Sequence, residues 1–514
     1  MLFLYLSTIA CEFRTYEHQL INHEQPEFGT FEQRFYFDKE PLGDNKVRSL
    51  LVYVGGLSAL DEEMFKAGPI LDIAKRSHSI LFGLEHRYFG ESKIYSRLSL
   101  QNMTYLNTNE VIDDIALFVN YIKNDFCPKS KCRVALVGEG YAGSLCVWAK
   151  QQYPNYIDSV WASSSPLILS NEYHAYDMFH TTVLRSYTPK GANALSAHLK
   201  KIEDIFNSGN QTEIEKVYKD FNIPESMIPY NFLNAVANLI YDLLDIPEMF
   251  DQFFWNFFSD GGDIKYDDLP SKISTILKGI NRDISYYDPV WPNDPDNEEM
   301  REKRLITFMQ CNEVGWIPIS PPSGIPSRIL QRSINSTSVS QNICWNLFQF
   351  RLQSHDYFND RHGGRSPGVS SVIYTKAVQQ YWNEFQFLEN ELNLDNDNEI
   401  ISLEFSDLLK SPLDYEFIDD SQQLKDVRNV AIETLSEWLN FNGSCLNGYS
   451  ILHKCVCNNG WHGKFCDKRS RYDEYNAMMA VSVTVPTILM FFVGVIAWFA
   501  FVEPSKNNKF KQTI

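Results

Sequence analysis

The sequence is poor in basic residues. Its 46 Lys and Arg residues face 65 Asp and Glu residues, which gives a net charge of −19 over 514 residues. Neutralising nucleic-acid phosphates requires a basic face, so this balance argues against a nucleic-acid partner. Hydrophobic residues make up 44% and charged residues 22% of the chain, a globular composition that argues against a disordered one.

Charged residues are absent from Tyr475 to Val502. This run exceeds the ~20 apolar residues that cross the hydrocarbon core of a bilayer, so it predicts a transmembrane helix over 476–502. A polar tail, 503–514, follows and carries three lysines, which predicts a cytoplasmic side. A glycolipid-anchor signal would instead end in its hydrophobic segment.

The N-terminus also lacks charge, since MLFLYLSTIAC has no basic residue. Residues 1–13 are predicted to be a signal peptide, and an ordinary buried start is the alternative. Ten cysteines and four glycosylation sequons favour an oxidising compartment. The sequons are at Asn102, Asn210, Asn335 and Asn442. We therefore expect a single-pass type I protein whose ectodomain is extracellular or lies in an endosomal or lysosomal lumen.

Strand-like and helical runs alternate over the first part of the chain. VRSLLVYVGG, SILFGLEHRYFG and RVALVGEGYAG each end in a glycine turn, and SVWASSSPL follows as another strand. This alternation predicts an α/β fold with a largely parallel sheet. Residues 14–169 and 341–441 form the predicted core, and 170–340, with helical spacing, form a predicted helical cap.

Four cysteines cluster within 442–467, where Cys-x-Cys is followed by Gly-Trp-x-Gly and Cys. The spacing resembles the end of an epidermal-growth-factor-like module, which depends on disulfides because it has almost no core. The expected pairs are Cys445–Cys455 and Cys457–Cys466. Metal ligation is the alternative, but the spacing is not that of a zinc finger.

The segment RVALVGEGYAGSLCVW has the form of a strand, a sharp glycine turn and a helix. An α/β-hydrolase carries its nucleophilic serine on such an elbow, in the pattern Gly-x-Ser-x-Gly. Gly140 occupies the serine position here, and glycine has no side chain with which to attack a carbonyl. A plain glycine-rich turn is the alternative reading of the motif taken alone.

The surroundings of the elbow resemble one peptidase family. FEQRFYF, LEHRYFGES, LNTNEVIDDIALFV, VGEGYAGSLCVWAKQQYPNYIDSVWASSSPL, TFMQCNEVGW and CWNLF are similar to segments of lysosomal Pro-Xaa carboxypeptidase, dipeptidyl peptidase II and thymus-specific serine protease. The resemblance runs from about residue 14 to 440. It implies an α/β-hydrolase fold with a helical cap over the cleft, and an ancestral activity of trimming peptides next to proline.

The resemblance also implies where the other triad members should be. Gln380 stands at the aspartate position and Glu404 at the histidine position, so all three positions are substituted. The sequence has no histidine between His362 and His453. His355 and His362 precede the aspartate strand and are interpreted as bystanders in a loop. Without a base, a serine is not activated.

Other residues near the elbow have predicted roles. Tyr141 is the predicted remnant of the oxyanion hole, and Leu57 replaces the family's acidic residue after two glycines. Capping and packing are the preferred roles of four nearby serines: Ser144, Ser163, Ser164 and Ser165. The family implies a Cys311–Cys344 disulfide, proximity predicts Cys127–Cys132, and Cys146 is expected to be a free buried thiol.

The sequence therefore predicts a non-catalytic homologue of serine exopeptidases that binds peptides or proteins. Two alternatives stay open: an active serine-type peptidase with an unconventional site, and an adhesion or receptor-like surface protein. No cofactor and no metal is expected. The lipid bilayer is an expected partner through the C-terminal span, and homodimerisation is a further option.

Overall fold

The computed structural model describes most of the chain up to residue 469. Described are residues 12–43, 46–128, 132–246, 249–258, 264–291, 293–325, 328–377, 385–387, 399–407, 410–414, 420–441, 445, 448–451, 453–458, 461–462, 466 and 468–469. The predictions for Gln380, Asn442 and the 476–502 span lie outside these ranges. Among the described residues, no helix is long and apolar enough to cross a membrane.

An eight-stranded sheet forms the centre of the first of two compact units, Met1–Asn440. Its strands are β1 Glu12–Leu20, β2 Thr30–Asp38, β3 Ser49–Val54, β4 Ile80–Leu84, β5 Arg133–Glu139, β6 Ser159–Ser163, β7 Val372–Ala377 and β8 Ile400–Phe405. The spatial order is β1-β2-β4-β3-β5-β6-β7-β8. Strand β2 is antiparallel to β1 and β4, and all later neighbours are parallel. This order is that of the α/β-hydrolase fold, as predicted.

Strand composition explains the arrangement. The central strands β4 and β6 are buried along their full length, which suits parallel strands covered on both faces. Strand β2 begins with alternating exposed and buried residues, as expected near an antiparallel edge. Strand β1 starts at Glu12, so the predicted signal-peptide boundary at residue 13 falls inside a strand.

Helices cover both faces of the sheet. Those of the core are α1 Glu63–Lys66, α2 Pro69–Ser77, α3 Thr108–Phe126 and α4 Tyr141–Gln152, with a last helix, Gln422–Asn440, after β8. Helix α2 and this last helix bury apolar side chains against one face, where Leu51, Ala135 and Trp161 lie. Helices α3 and α4 pack on the other face, in a cluster that continues into the cap.

The segment between β6 and β7 is helical, and it belongs to the same compact unit as the sheet. Its helices are α5 Ala175–Tyr187, α6 Pro189–Ser208, α7 Gln211–Asp220, α8 Pro229–Asp245, α9 Trp255–Phe257, α10 Leu269–Gly279, α11 Arg301–Met309, α12 Ser336–Val339, α13 Trp345–Phe348 and α14 Asp356–His362; the last helix of the unit, Gln422–Asn440, is therefore α15. Short 3-10 or π-helical turns occur at Pro26–Phe28, Glu40–Leu42, Phe250–Phe254, Tyr266–Asp268, Ile284–Tyr287, Gln310–Val314 and Ser340–Cys344. Cys311 and Cys344 form a disulfide between two of these turns.

The LEHRYFGES segment is a structural junction. The Arg87 guanidinium is fully buried and bonds the Asp114 carboxylate through Nε and Nη2, each at 2.6 Å. Its nitrogens also donate to the carbonyl oxygens of Leu20, Ile21 and Tyr105. Arg87 therefore ties the end of β1 and the loop before α3 to α3 itself.

Glu85 organises the turn of the same segment. Its Oε2 accepts hydrogen bonds from the Glu91 and Ser92 backbone N–H groups and from Ser92 Oγ, at 2.8–3.0 Å. A Cβ on Gly90 would lie 2.1 Å from Glu85 Oε1, so glycine is required there. These motif residues support the fold rather than chemistry.

The second unit, Phe441–Ile514, contains two small antiparallel pairs. Strand β9 Gly448–Ile451 pairs with β10 Lys454–Cys457, and β11 Trp461–His462 with β12 Lys468–Arg469. Disulfides join Cys445 to Cys455 and Cys457 to Cys466. In so short a segment these crosslinks replace a hydrophobic core.

Removing the partner of Arg87 should destabilise the first unit strongly. Asp114→Ala leaves a buried guanidinium without its carboxylate, which costs about 3–5 kcal/mol of unfolding free energy. Its neighbour Asp113 is a matched control, since it is only partly buried and bonds Tyr153 Oη and Gln152. Asp113→Ala should cost about 1 kcal/mol. Urea unfolding would measure both, and equal losses would contradict the junction role of Arg87.

Candidate active site

The elbow between β5 and α4 has the backbone of a nucleophile turn. Gly140 separates the two elements with φ 54° and ψ −127°, and its N–H donates to Ser163 O at 2.9 Å. Positive φ at this position favours glycine over any residue with a side chain. The observed conformation is thus the strained strand-to-helix turn that the motif predicts.

Packing explains the flanking glycines but not Gly140. A Cβ on Gly138 would lie 2.6 Å from the Ala142 carbonyl carbon, and one on Gly143 would lie 1.9 Å from Ser165 Oγ. Both must be glycine for α4 to approach the sheet. Among the described residues, no atom outside the turn itself lies within 4 Å of the Cβ position on Gly140, so these residues leave room for a side chain there.

Tyr141 begins α4, where the first backbone N–H groups lack acceptors within the helix. Gly56 comes from the loop after β3 and reaches this turn, since its Cβ position lies 3.8 Å from Ala142 Cβ. Amide groups at a helix N-terminus favour an anion or a polarised carbonyl. The elbow therefore keeps the elements from which an oxyanion hole is built.

A polar chain links the elbow to the cap. The Tyr141 hydroxyl lies 3.1 Å from Thr108 Oγ1, and Glu313 Oε2 accepts from both Thr108 N and Thr108 Oγ1 at 2.7 Å. Burial raises the pKa of Glu313 to about 6, although its bonds from Thr108 oppose the change. Trp316 packs edge-on against the Tyr141 ring, with 6.1 Å between centroids. Sequence reasoning missed Glu313, which only the TFMQCNEVGW landmark could have indicated.

Glu139 lies directly before Gly140. Burial, together with the nearby Asp414 charge, raises the pKa of Glu139 to about 7, and a hydrogen bond with Ser411 opposes this. Burial also raises the pKa of Asp414, whose carboxylate accepts from Ser411 N at 2.7 Å. A carboxyl group that titrates near neutrality can exchange protons, but no hydroxyl stands at position 140 for it to activate.

The serines around the elbow are mostly engaged in packing. Ser144 Oγ donates to Pro166 O at 2.6 Å and Ser165 Oγ to Ser163 O at 2.9 Å. Ser163 Oγ lies 3.2 Å from Ser411 Oγ. Ser164 differs, because it has φ 47° and its buried Oγ has no hydrogen-bond partner among the described residues.

The predicted bystander histidines are buried. His355 Nε2 lies 2.9 Å from Asn171 Oδ1, and His362 Nδ1 lies 2.9 Å from Gln151 Oε1. His362 is the last residue of α14 rather than a loop residue, because Trp148 and Phe358 pack against its ring. Burial lowers the pKa of both imidazoles, that of His362 to about 4.

His86, in the LEHRYFGES signature, was missed by sequence reasoning. Its ring centroid lies 5.9 Å from that of Tyr141, and its Nδ1 lies 2.7 Å from Arg87 O. Burial lowers the pKa of His86 to about 4, so the ring stays neutral at physiological pH. It is a buried neighbour of the elbow, with a role in packing against Tyr141 and Phe89.

Glu404, placed by resemblance at the histidine position, lies within β8. Its carboxylate pairs with Lys376 Nζ at 2.9 Å and its side chain is 57% exposed. In the sheet order, β6 and β7 separate β8 from β5, which puts it roughly 14 Å sideways from the elbow strand at normal strand spacing. The structure thus gives Glu404 a salt bridge at the sheet surface.

Comparison with known proteins agrees with this geometry. The family model for Serine carboxypeptidase S28 matches residues 19–239. This region is homologous to the S28 serine peptidases. It runs from β1 into α8, and so includes both the LEHRYFGES signature and the elbow.

Individual relatives are distant. The chain is 24% identical over 214 residues to the serine protease vicPb of Bipolaris victoriae (strain FI3), covering 40% of each protein. It is 28% identical over 185 residues to the lysosomal Pro-X carboxypeptidase of Bos taurus, covering 35% of this chain and 36% of that one. It is 20% identical over 386 residues to the probable serine protease EDA2 of Arabidopsis thaliana, covering 71% and 74%. The first two alignments span about two fifths or less of the relatives' length.

A solved structure of the carboxylesterase EstE1 overlaps 33% of this chain and 52% of its own, with 13% identity and a TM-score of 0.23. The fold assignment therefore rests on the strand order and on the elbow.

The raised pKa of Glu139 predicts a pH-dependent stability. Between the ordinary value of 4.5 and the folded value of about 7, the folded state holds more protons than the unfolded state. The contribution of Glu139 to stability is therefore present at acid pH and is lost as pH rises through this window. Glu139→Gln should remove that loss and raise the melting temperature at pH 8 more than at pH 4.5. Glu302→Gln, at an exposed position, is the control. An identical shift at both pH values would contradict the raised pKa.

Proposed function

We propose that this protein is a non-catalytic, membrane-displayed relative of proline-specific serine exopeptidases whose cleft binds peptides or proteins. The observation that supports it most directly is Gly140. The elbow keeps its turn and leaves the nucleophile's space open, yet position 140 offers no oxygen. Without a nucleophile, an acyl-enzyme cannot form.

The base of a triad is also without a candidate. His355 and His362 are held by Asn171 and Gln151, and their lowered pKa values mean that burial disfavours the imidazolium that a triad must form. No histidine follows in the sequence until His453, which belongs to the second compact unit. Loss of both nucleophile and base argues for the absence of turnover.

A binding role is supported by what the elbow retains. The N-terminus of α4 offers backbone N–H groups that favour a peptide carbonyl or carboxylate, and Gly56 stays close to this turn. Glu313, Thr108 and Tyr141 form a fixed polar chain across the core and the cap. Preorganised polar groups of this kind orient a bound peptide without any chemical step.

An active hydrolase with an unconventional site is the second candidate, because Ser164 has positive φ, has no Oγ partner among the described residues, and follows Ser163, which bonds the elbow. An adhesion or receptor-like role is the third, and the disulfide-linked unit after Asn440 favours it. A pull-down with the ectodomain would recover a specific protein if that role holds.

Catalysis can be tested with purified protein. The wild type should show no labelling by a serine-reactive fluorophosphonate and no cleavage of proline-containing peptides. Gly140→Ser should fold, because none of the described residues crowds the new Cβ, but it should stay several orders of magnitude below a complete triad if the base is missing as proposed.

Ser164→Ala separates the two catalytic hypotheses. If the wild type is labelled and Ser164→Ala is not, the unconventional site is correct and the non-catalytic proposal is wrong. Ser144→Ala is the matched control, because the Ser144 hydroxyl is already bonded to Pro166 O. Proline-directed cleavage by the wild type would also overturn the proposal.

The proposed topology rests on the uncharged run and the sequons. Asn210 and Asn335 are exposed and Asn102 is partly exposed, so a glycosyltransferase could reach them in the folded protein. Enzymatic removal of N-glycans should lower the apparent mass, and Asn210→Gln with Asn335→Gln should reproduce part of that shift. Glycosylation in cells with the 503–514 tail accessible only from the cytosol fits a type I protein. An unchanged mass after deglycosylation would contradict it.

A further inference from the structure

A cavity of about 270 Å³ in the cap carries an excess of positive charge. Its lining includes Ser196, Lys200, Arg328, Gln331 and Arg332, together with the glycine–isoleucine pair at 324–325, and no acidic residue. In a chain with a net charge of −19, a cavity lined by three cations and no anion is unexpected. Its charge calls for a ligand of the opposite sign.

Arg328 is the unusual member of this set. The residue is only 7% exposed, and its Nη1 is buried with no hydrogen-bond partner among the described residues. Arg332 is exposed on the same cavity and repels it, and burial and this repulsion together lower the pKa of Arg328. A buried guanidinium without a carboxylate partner is costly unless something else neutralises it.

The neighbouring acids, Asp177 and Glu203, accept hydrogen bonds from backbone N–H groups, and Asp177 Oδ2 has no hydrogen-bond partner among the described residues. Asp177 Oδ1 accepts from the backbone N–H groups of Ile329 and Leu330, at 3.1 and 2.7 Å. Glu203 Oε1 accepts from Ser333 N at 2.8 Å. Both attract Arg328 at longer range, but neither bonds its guanidinium.

The remaining polar groups of the cavity suit an oxyanion. Lys200 is bonded to Asp204 at 2.5 Å, and its ammonium keeps further donor capacity. Ser196 Oγ accepts from Arg328 N at 3.2 Å, so its hydroxyl hydrogen is free to donate to another group. Guanidinium, ammonium and hydroxyl donors are the groups that bind a tetrahedral oxyanion in proteins, and all three kinds line this cavity.

We propose that this cavity, formed by Ser196, Lys200, Arg328 and Arg332, binds a tetrahedral oxyanion of the phosphate or sulfate class. The anion neutralises the Arg328–Arg332 pair and joins α6 to the segment that follows residue 324. The site is separate from the elbow, and the proposal does not depend on whether the protein is catalytic. A free inorganic anion and an ester group on a sugar share this chemistry.

Calorimetric titration of the full-length protein in a non-ionic detergent tests the proposal. The probes are inorganic phosphate, inorganic sulfate, glucose 6-phosphate and a sulfated disaccharide, with ionic strength held constant by chloride. The wild type should bind at least one probe saturably at one site. Preference for a sugar ester would identify an ester ligand, and equal binding of the inorganic ions would identify a free anion; both support the site.

Arg332→Gln is the decisive variant, because the residue is exposed and the substitution should leave the fold intact. Losing one charge-assisted contact should weaken binding roughly ten- to a hundredfold. Lys278→Gln removes the same charge from an exposed position on α10 and should leave binding unchanged. Absence of saturable binding by the wild type, or equal affinity of the wild type and Arg332→Gln, would overturn the proposal.

Arg328→Gln gives a second, independent measurement. In chloride buffer it should raise the melting temperature, because it removes a buried charge that lacks a partner. Added phosphate or sulfate should reduce the difference in melting temperature between Arg328→Gln and the wild type, because the anion stabilises the wild type more. Sulfate stabilises most proteins because it is excluded from their surface. The test is therefore whether the anion raises the melting temperature of the wild type more than that of Arg328→Gln. A lower melting temperature of Arg328→Gln in chloride would mean that Arg328 already has a protein partner and would count against the site.

Discussion

The ion pair between Arg87 and Asp114 holds together the parts of the fold that precede the elbow. The guanidinium is buried, it is bonded to the carboxylate through two nitrogens, and its other donors reach carbonyl oxygens at the end of β1 and before α3. Helix α3 in turn starts at Thr108, which contacts both the elbow tyrosine and the cap glutamate. Removing either partner of such a buried ion pair destabilises the fold, because the other partner is left as an uncompensated buried charge.

The elbow of an active enzyme must pack tightly against the sheet and must also present a nucleophile. In this chain the two requirements fall on different residues. Gly138 and Gly143 are required by the close approach of α4 to the sheet, whereas none of the described residues occupies the side-chain space at Gly140. The scaffold can therefore persist without its chemistry. Packing explains why the LEHRYFGES and elbow segments are recognisable in this chain, since Glu85, Arg87 and the glycines that flank Gly140 all serve the fold.

The parallel strands, the elbow and the helical segment between β6 and β7 could be predicted from the sequence. Continuous apolar runs indicate buried strands, and glycines indicate where the backbone must turn sharply. The strand β1, the buried Glu313 and the position of His362 in a helix were not predicted, because each depends on contacts between residues far apart in the chain. Glu404 was placed by resemblance at the histidine position, and the structure adds that it lies within β8, where its carboxylate pairs with Lys376. The Arg328 cavity left no clear sequence signal, since Lys200 lies in α6, far along the chain from Arg328 and Arg332.

The conformation of Gly140 has an evolutionary consequence. A residue with a side chain at φ 54° and ψ −127° stores roughly 1–3 kcal/mol of strain, which a glycine releases. Under the proposed non-catalytic function, a serine at this position would carry that strain without a catalytic benefit, so glycine is the more stable choice there. Under the same proposal, a change of Gly140 back to serine would first cost stability through backbone strain. It would restore no activity until a base was also present. The backbone conformation at position 140 would thus oppose the recovery of catalytic activity.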